Sequence, residues 1–522
     1  MKIYIAQINP KIADIAYNLK IIRQHIDKAY NTGARLVIFG ELSLTGYALK
    51  DVFLTDTIIK QSEQAITEIT SYQPDIAVII GYPKQDERSS KLLNTAGVLY
   101  KGAIHLEYTK RALVDFGCFN ESRYFTTTSD KKNTFYIENY QFALSICHDI
   151  WEDKIMKTTT DKPVDAIINI SASPYEIDKN IARDIVLNKA AKYHKCSIIY
   201  ANIVGAYDSL IFDGNSKFIN KNGDKALQLK HCEEDSLLFD LTSSTNNLVH
   251  TEPLEELCKA LVMGIRDYIN DNSLSKVCIG LSGGLDSAVI ATLAVDAIGK
   301  ENVIGVFMPS AYTSTLSFNA TEELAKNLNI KLITQPITNC FENLQFQLSN
   351  NPVNPEKIEQ QNMQSRLRCC ILMYYANLFD AIVLNTGNKS ELAMGYCTTY
   401  GDMIGAIAPI GDLFKTQVFD LAKILNIKEK RIPEKIIQRA PSAELSPNQK
   451  DTDQLLEYAE LDLIIAKIMQ AKCVNELNKK ELEIYNKIKK VEHKRKQAPF
   501  VLKLTNSSFN IDRQQPITYK LL

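Results

Sequence analysis

A short buried strand, Val277 to Leu281, runs through Ser282-Gly283-Gly284 into an apolar helix, Ala288 to Ile298, with the acid Asp286 just ahead of it. A strand that becomes a helix across two glycines presents its loop N–H groups at a helix N-terminus, which is a site for an anion. Gly283 and Gly284 carry no Cβ, so the backbone can approach a phosphate closely and take φ > 0 at little cost. The phosphate loop G-x-x-x-x-G-K-[ST] is absent, because no lysine follows the second glycine. A nucleotide enzyme of another class is implied.

The rest of the chain repeats this alternation. Ile3 to Ile8 is a strand candidate; Leu19, Ile22, Ile26 and Ala29 mark one helix face ending near Gly33; Leu36 to Phe39, Phe142 to Ile146, Ala166 to Ile170 and Ile198 to Ala201 are buried strands. From Leu241 to Pro253 periodicity lapses into Thr, Ser and Asn, as in a linker, which divides the chain into 1–242 and 243–522. The second half resumes with a helix from Leu254 to Tyr268, then the loop strand, Val303 to Phe307, Lys331 to Thr334 and Ala381 to Asn385. Strands alternating with helices predict an α/β protein with a doubly wound parallel sheet, whose ligands gather at the carboxyl ends of strands. At 522 residues, 45% hydrophobic and 23% charged, the chain has ample core for two or three domains.

Three residues in the first half stand just past strand ends or in an adjoining loop: Glu41, Lys110 and Cys147. A thiolate nucleophile needs a base to ionise it and a cation to steady the charge that develops, so this trio suffices for acyl transfer. Taken singly, a buried cysteine is an ordinary core residue and a lone Glu or Lys an ordinary surface one. The surrounding segments distinguish them: Gly40 to Tyr47, Lys110 through Phe119-Asn-Glu121-Ser-Arg123-Tyr124-Phe125, and Ser145 to Trp151 resemble the three signature segments of the nitrilase and amidase superfamily. The resemblance implies an αββα sandwich with Glu41 as general base, Lys110 as the cation near the oxyanion and Cys147 as the nucleophile. It further implies that Glu121 orients the lysine and substrate, and that Phe116, Ser173 and Lys179 help to bind glutamine. Val114 stands where relatives often have proline, Phe116 where tyrosine is frequent, and His148 where glutamate commonly follows the cysteine.

The glycine loop of the second half resembles that of ATP pyrophosphatases, which cleave ATP between its α- and β-phosphates. In order along the chain, Met308 to Ser314, Gln364 to Arg368, Asn385 to Glu391, Gly401-Asp402, Asp412 to Thr416, Pro441 to Leu445 and His493-Lys494-Arg495 resemble the glutamine-dependent NAD synthetases. With the amidase half, that resemblance runs from Ile5 to about Ile517. It implies a Rossmann-like sheet of the adenine nucleotide α-hydrolase type. Gly280, Leu281, Ser282, Gly283, Gly284, Leu285, Asp286 and Ser287 would cradle ATP, with Thr386, Lys415 and Ser442 completing its site. Asp286 and Glu391 would hold Mg²⁺, and Asn362, Arg366, Glu391, Thr399, Asp402 and Lys494 would lie near deamido-NAD or its adenylate. Gln361 and Asn319 replace acids common in the family.

On this resemblance, glutamine is hydrolysed at Cys147, ammonia passes internally, and ammonia displaces AMP from an acyl-adenylate of deamido-NAD. Two other readings keep part of this chemistry: an ATP pyrophosphatase acting on a purine nucleotide or a tRNA base, and an amidase whose second half only binds nucleotide and regulates. A net charge of −1 gives no basic surface for nucleic acid or an anionic membrane. The basic run Lys487, Lys489, Lys490 and Lys496 reads as a solvated face, Cys369 and Cys370 as helix-core residues, and Trp151 as packing. Eleven scattered cysteines without a C-x-x-C pair, and no long apolar run, predict a reduced cytoplasmic protein. A homo-oligomer is expected by resemblance.

Overall fold

The computed structural model describes residues 1–72, 74–129, 132–160, 162–242, 252–348, 357–496, 503–504 and 514–519. The chain forms two units, Met1–Asn272 with Leu502–Leu522, and Ser273–Val501. In the first, β1 (Lys2–Gln7), β2 (Leu36–Ile38), β3 (Ala77–Gln85), β4 (Leu92–Tyr100) and β5 (Ala103–Thr109) share one sheet. A second sheet holds β6 (Thr134–Ile137), β7 (Tyr140–Ile146), β8 (Ala166–Ser171) and β9 (Ser197–Asn202). After a separate hairpin, β10 (Val204–Tyr207) and β11 (Leu210–Asp213), it is completed by β12 (Lys217–Ile219) and β13 (Lys225–Gln228). β14 (Asp235–Asp240) returns to pair antiparallel with β1. The strand orders are β14-β1-β2-β3-β4-β5 and β13-β12-β9-β8-β7-β6, parallel at the centre of each sheet and antiparallel at the flanks.

Side chains alternate across a strand, so a run that is apolar throughout must be covered on both faces. Ile3, Ile5, Ile38 and Ile79 share a core with Leu144, Ile146, Ile168 and Ile199 of the other sheet. The intervening Tyr4, Val37, Val78 and Ile80 pack under Ile22 and Ile26 of helix Ile15–Asn31 and Ile58 and Ile66 of helix Asp56–Tyr72. On the far side Ala143, Ile167 and Ile198 meet Leu187, Ala190 and Ala191 of helix Lys179–His194. The layers are helix, sheet, sheet, helix, the αββα sandwich that the resemblance implied.

Helix Pro253–Asp271 joins this first unit: Ala260 and Met263 pack against Val204 and Cys232, and Asp267 Oδ2 accepts from the Ala206 N–H at 3.0 Å. The sequence cut after residue 242 borders residues 243–251, which lie outside the described residues.

In the second unit β15 (Lys276–Leu281), β16 (Val303–Phe307), β17 (Lys331–Thr334) and β18 (Ala381–Val383) form a parallel sheet of order β17-β16-β15-β18. β18 is two residues shorter than the sequence suggested, because the chain turns there to an isolated bridge between Leu384 and Ile407 and the Asn385 N–H donates to Ile407. Leu372 and Ala376 of helix Ile358–Leu378 pack on Cys278, Ile304, Val306 and Val383. The order reverses at β15, so the loop after it and the segment after β18 flank a topological switch point, where open α/β sheets bind ligands. The expectation that Cys369 and Cys370 pack in a helix core is corrected: Cys370 is exposed, about 100° further round the helix, and Cys369 is half-buried in the wall of a cavity. Lys487, Lys489, Lys490 and Lys496 are exposed, as read from the sequence. No helix among the described residues is long and apolar enough to cross a membrane.

Candidate active sites

Glu41, Lys110 and Cys147 each follow the carboxyl end of a strand, β2, β5 and β7 respectively, and the fold of the first unit brings them together. Glu41 can sit there because Gly81 lets its turn lie on β3: a Cβ at Gly81 would stand 2.4 Å from the Leu42 nitrogen. Lys110 Nζ donates to Glu41 Oε1 at 2.8 Å and to Glu121 Oε1 at 2.7 Å, with all three side chains buried. The remaining lone pairs are satisfied: Asn94 Nδ2 and the Ala172 N–H donate to Glu41 at 2.8 Å each, and Tyr47 Oη and the Val114 N–H donate to Glu121 at 2.6 and 2.9 Å. Burial works against the Lys110 charge, but Glu41 and Glu121 outweigh it and hold the ammonium well above the usual lysine range.

Cys147 is half-buried at φ = 44°, where β7 breaks into a short 3₁₀ turn. A β-substituted residue in that region is strained and persists only when its surroundings hold it. Here Asp149 does so: its carboxylate accepts from the N–H groups of Ile146, Arg111 and Ala112 at 3.1, 2.9 and 2.7 Å and from Tyr108 Oη at 2.7 Å. That clamp ties the cysteine turn to the loop carrying Lys110. Burial and then Glu41 push the Cys147 thiol up, with Lys110 pulling in the opposite sense, so the thiol is protonated at neutral pH.

Of the residues expected to bind glutamine, Glu121 lies inside this network. Ser173 is buried, and its carbonyl and that of Pro174 each accept from Arg183 Nη2 at 2.9 Å, while Arg183 Nη1 donates to buried Asp213 at 2.7 Å. Phe116 is 61% exposed with its ring 5.7 Å from that of His148. Lys179 pairs with Glu176 at 3.3 Å and stands over Trp151, whose ring packs on the outer core as expected. Asn94, Asp149 and Arg183 escaped the sequence reading, because each acts through partners at least 30 positions away or through backbone groups.

In the second unit a cavity of ≈ 390 Å³ opens at the switch point. Gly280, Leu281, Ser282, Gly284, Leu285, Asp286 and Ser287 line it. Gly283 does not; it sits behind the loop at φ = 77°, where a Cβ would stand 2.6 Å from the Ser317 carbonyl oxygen. Ser282 Oγ accepts from the Gly284 N–H at 3.2 Å, and Ser287 Oγ donates to the Gly284 carbonyl at 3.1 Å, which closes the loop on itself. Thr386, Lys415 and Ser442 line the same cavity. Lys415 Nζ bonds to Asp286 and lies 3.8 Å from Glu391 Oε1. Glu391 is held by a reciprocal cap, its N–H donating to Asn388 Oδ1 at 3.0 Å and its Oε2 accepting from the Asn388 N–H at 3.2 Å.

Burial and then Asp286 push the Glu391 carboxyl up to about 8, with Lys415 opposing. Two carboxylates crowded at a phosphate loop suit a divalent cation, which would relieve their repulsion. Among the described residues no cluster of three or more His, Cys, Asp or Glu could hold a metal. A Mg²⁺ ion here would complete its shell from substrate phosphates, as is usual for this ion.

Asn362, Glu391, Asp402 and Lys494 also line the cavity. Arg366 and Thr399 are not brought into its lining: Arg366 is exposed, and its Nε donates to the Thr399 carbonyl at 3.3 Å. Lys494 Nζ donates to the Gly395 and Cys397 carbonyls at 2.8 Å each, at the end of helix Lys389–Met394. Two cavity-lining cations were left unassigned by the sequence, Arg368 and Arg439. Helical spacing would have found the first: at ~100° per residue, Gln361, Ser365, Arg368 and Leu372 share one stripe, and Arg366 falls about 130° from its centre.

Comparison with known proteins finds relatives of both halves of the chain. A carbon–nitrogen hydrolase family model matches residues 2–248, and an NAD synthase model matches residues 257–498. The glutamine-dependent NAD(+) synthetase of Synechocystis sp. is 36% identical, the match covering 99% of this chain and 98% of that protein. The enzyme of the same name from Aquifex aeolicus is 34% identical over 100% and 99% of the two chains. The solved structure of glutamine-dependent NAD+ synthetase from Acinetobacter baumannii in complex with ADP superposes with a TM-score of 0.84, at 33% identity, covering 99% of this chain and 98% of that one.

Proposed function

The chain belongs to the glutamine-dependent NAD(+) synthetase family, and from that premise we propose that it amidates deamido-NAD with ammonia taken from glutamine, using ATP and Mg²⁺. The observation that carries this reading is the presence in one chain of two constellations: a buried Glu41–Lys110–Glu121 set around Cys147, and a glycine loop facing Asp286, Lys415 and Glu391. The first suits acyl transfer and the second phosphate chemistry. We assign the two half-reactions to residues 1–242 and 243–522.

In the first half-reaction Glu41 takes the Cys147 proton as sulfur attacks the glutamine carboxamide carbon. Lys110 steadies the oxyanion, and Glu41 returns the proton to nitrogen as the C–N bond breaks and ammonia leaves. Water, deprotonated by Glu41, then cleaves the thioester to give glutamate and the free thiol. Phe116, Ser173 and Lys179 shape the glutamine pocket, and the departures at Val114, Phe116 and His148 change its outline.

In the second, the carboxylate of deamido-NAD attacks the α-phosphorus of ATP and pyrophosphate departs. Ammonia then attacks the acyl carbon, AMP leaves, and one proton is lost to form the carboxamide. The loop N–H groups and Lys415 hold the phosphates, and Ser442 and Thr386 line the nucleotide site. Asp286 and Glu391 would hold Mg²⁺, whose charge offsets that of the phosphates when bound. Asn362, Arg366, Thr399, Asp402 and Lys494 are assigned to the dinucleotide. Arg366 and Thr399, outside the cavity lining, would act from its rim.

Retention of Asp286, Glu391 and Lys415 disfavours a second half that only senses nucleotide, since a sensor has no pyrophosphate to stabilise. We infer a cytoplasmic enzyme, where its eleven cysteines would stay reduced, and a homo-oligomer by resemblance to the family. The test is an assay of the purified protein with ATP, Mg²⁺ and deamido-NAD, comparing glutamine with ammonium. NAD, AMP and pyrophosphate are expected with both donors; ADP and phosphate as products, or a tRNA or xanthosine monophosphate accepted in place of deamido-NAD, would overturn the reading.

A further inference from the structure

Arg368 lies on the cavity-facing stripe of helix Ile358–Leu378, one turn before Leu372. Leu372 and Met308 pack at the Gly280 end of β15, where a Cβ on Gly280 would meet both side chains at 3.5 Å. Arg368 therefore stands beside the entrance of the phosphate loop. Its Nε donates to the Met308 carbonyl at 3.0 Å, which fixes the plane of the guanidinium.

Its electrostatic situation differs from that of the other cations lining the cavity. Lys415 is held by Asp286 and Glu391, Arg439 by Glu444 and Ser317, and Lys494 by two carbonyls. A guanidinium carries five N–H donors. Beyond Nε, those of Arg368 have no acceptor among the described residues, and it makes no ion pair there. The nearest acids are committed elsewhere: Glu444 Oε1 accepts from Arg439, and Asp402 Oδ1 accepts from the Thr398 N–H at 2.7 Å. Burial holds the Arg368 pKa down to about 10, against Glu444 and Asp402, which still leaves it charged at neutral pH. The guanidinium is half-buried in the cavity wall, and its fork, unclaimed by protein acceptors among the described residues, is open to an anion. The planar fork matches two phosphate oxygens.

We propose that Arg368 is a phosphate-binding residue of the second unit, its fork pairing with a phosphate ester of substrate beside the loop at Ser282–Ser287. The inference rests on the function proposed above. Two sources supply that chemistry, the polyphosphate of ATP and the diphosphate of deamido-NAD, and they separate experimentally.

The test uses the full-length protein with ammonium as nitrogen donor, so that Cys147 takes no part. ATP and deamido-NAD are varied in turn for wild type, Arg368→Met and Arg368→Lys, with glutaminase turnover and thermal midpoint measured in parallel. Arg368→Met is expected to raise the KM of one of the two substrates by roughly ten- to a hundredfold, the effect of losing a charge-assisted contact. A rise for ATP assigns the fork to its polyphosphate; a rise for deamido-NAD assigns it to the diphosphate. Arg368→Lys, which keeps the charge and loses the fork, is expected between wild type and Arg368→Met. Glutaminase turnover and the thermal midpoint should stay near wild type. Unchanged KM values for both substrates in a folded Arg368→Met protein overturn the proposal. If that variant does not fold, Arg368→Lys decides: a wild-type KM for both substrates overturns it. Failure of the wild-type protein to make NAD from ammonium would instead strike the function on which the inference rests.

Discussion

At the scale of residues, the amidase set separates chemistry from stability. Cys147→Ala should abolish glutamine-supported NAD formation and leave ammonium-supported formation nearly unchanged, because the thiol serves only the first half-reaction. Equal loss with both donors would show that the two activities are not divided as argued. Lys110→Met should lower glutamine-supported turnover by on the order of 10³-fold or more. It should also lower stability by about 3–5 kcal/mol, since it leaves Glu41 and Glu121 buried without their shared cation. Urea unfolding of the two variants distinguishes them: Cys147→Ala should keep the wild-type midpoint, and Lys110→Met should not. Glu41, Lys110 and Cys147 were legible in the sequence because each is embedded in a local signature. Asn94, which donates to Glu41, and Arg183, which holds the Ser173–Pro174 backbone, were not, since their meaning lies in contacts across 53 and 10 positions that no local pattern encodes.

At the scale of elements, strand limits were read best where turn residues bound an apolar run, whether buried on both faces like Val303–Phe307 or at a half-exposed edge like Lys331–Thr334. Val303–Phe307 and Lys331–Thr334 fall where the apolar run ends, because flanking polar and turn residues mark both limits. β18 was overextended: the Leu384 N–H still donates to the Cys278 carbonyl of β15, but the Asn385 N–H donates to Ile407 and leaves the ladder. Helix faces were read less well: Arg366 was chosen by resemblance, whereas the stripe through Gln361, Ser365 and Leu372 brings Arg368 to the cavity. The glycine loop was legible as an anion site, but the reason for Gly283 appeared only with its neighbour, helix Thr315–Leu328, whose Ser317 backbone fills the place of a Cβ. Gly283→Ala adds both a disfavoured φ and a contact with rigid backbone. NAD formation should therefore fall at least tenfold with glutamine and with ammonium alike, while glutaminase turnover persists. A Gly283→Ala protein with wild-type ammonium-dependent synthesis would mean that the loop tolerates displacement and does not fix the phosphates.

At the scale of the whole molecule, acid should act on the first unit through two imidazoles that the fold keeps neutral. Burial, and Lys28 after it, lowers the His25 pKa to about 4, and Tyr4 Oη lies 3.2 Å from its Nδ1. Burial lowers His231 to about 4 as well, against the pull of Asp213 and together with Arg183, Lys259 and Lys217. A histidine in the unfolded chain titrates near 6.5, so between about pH 6.5 and pH 4 the unfolded state binds more protons than the native one. Stability contributed by these neutral imidazoles is complete above about pH 6.5 and is lost as pH falls toward 4, on the order of 1–3 kcal/mol for each. Asp271 opposes them: burial and then Asp267 raise its carboxyl to about 6, so its penalty on the fold is relieved as pH drops through that value. The single tryptophan, Trp151, packs on the outer core of this unit, so its fluorescence reports the unit's unfolding directly. The urea midpoint read by Trp151 should fall from pH 7 to pH 5, fall less in His231→Gln, and fall more steeply in Asp271→Asn, which removes the opposing contribution. A midpoint constant across that interval in all three proteins would show that neither imidazole is held neutral by the fold.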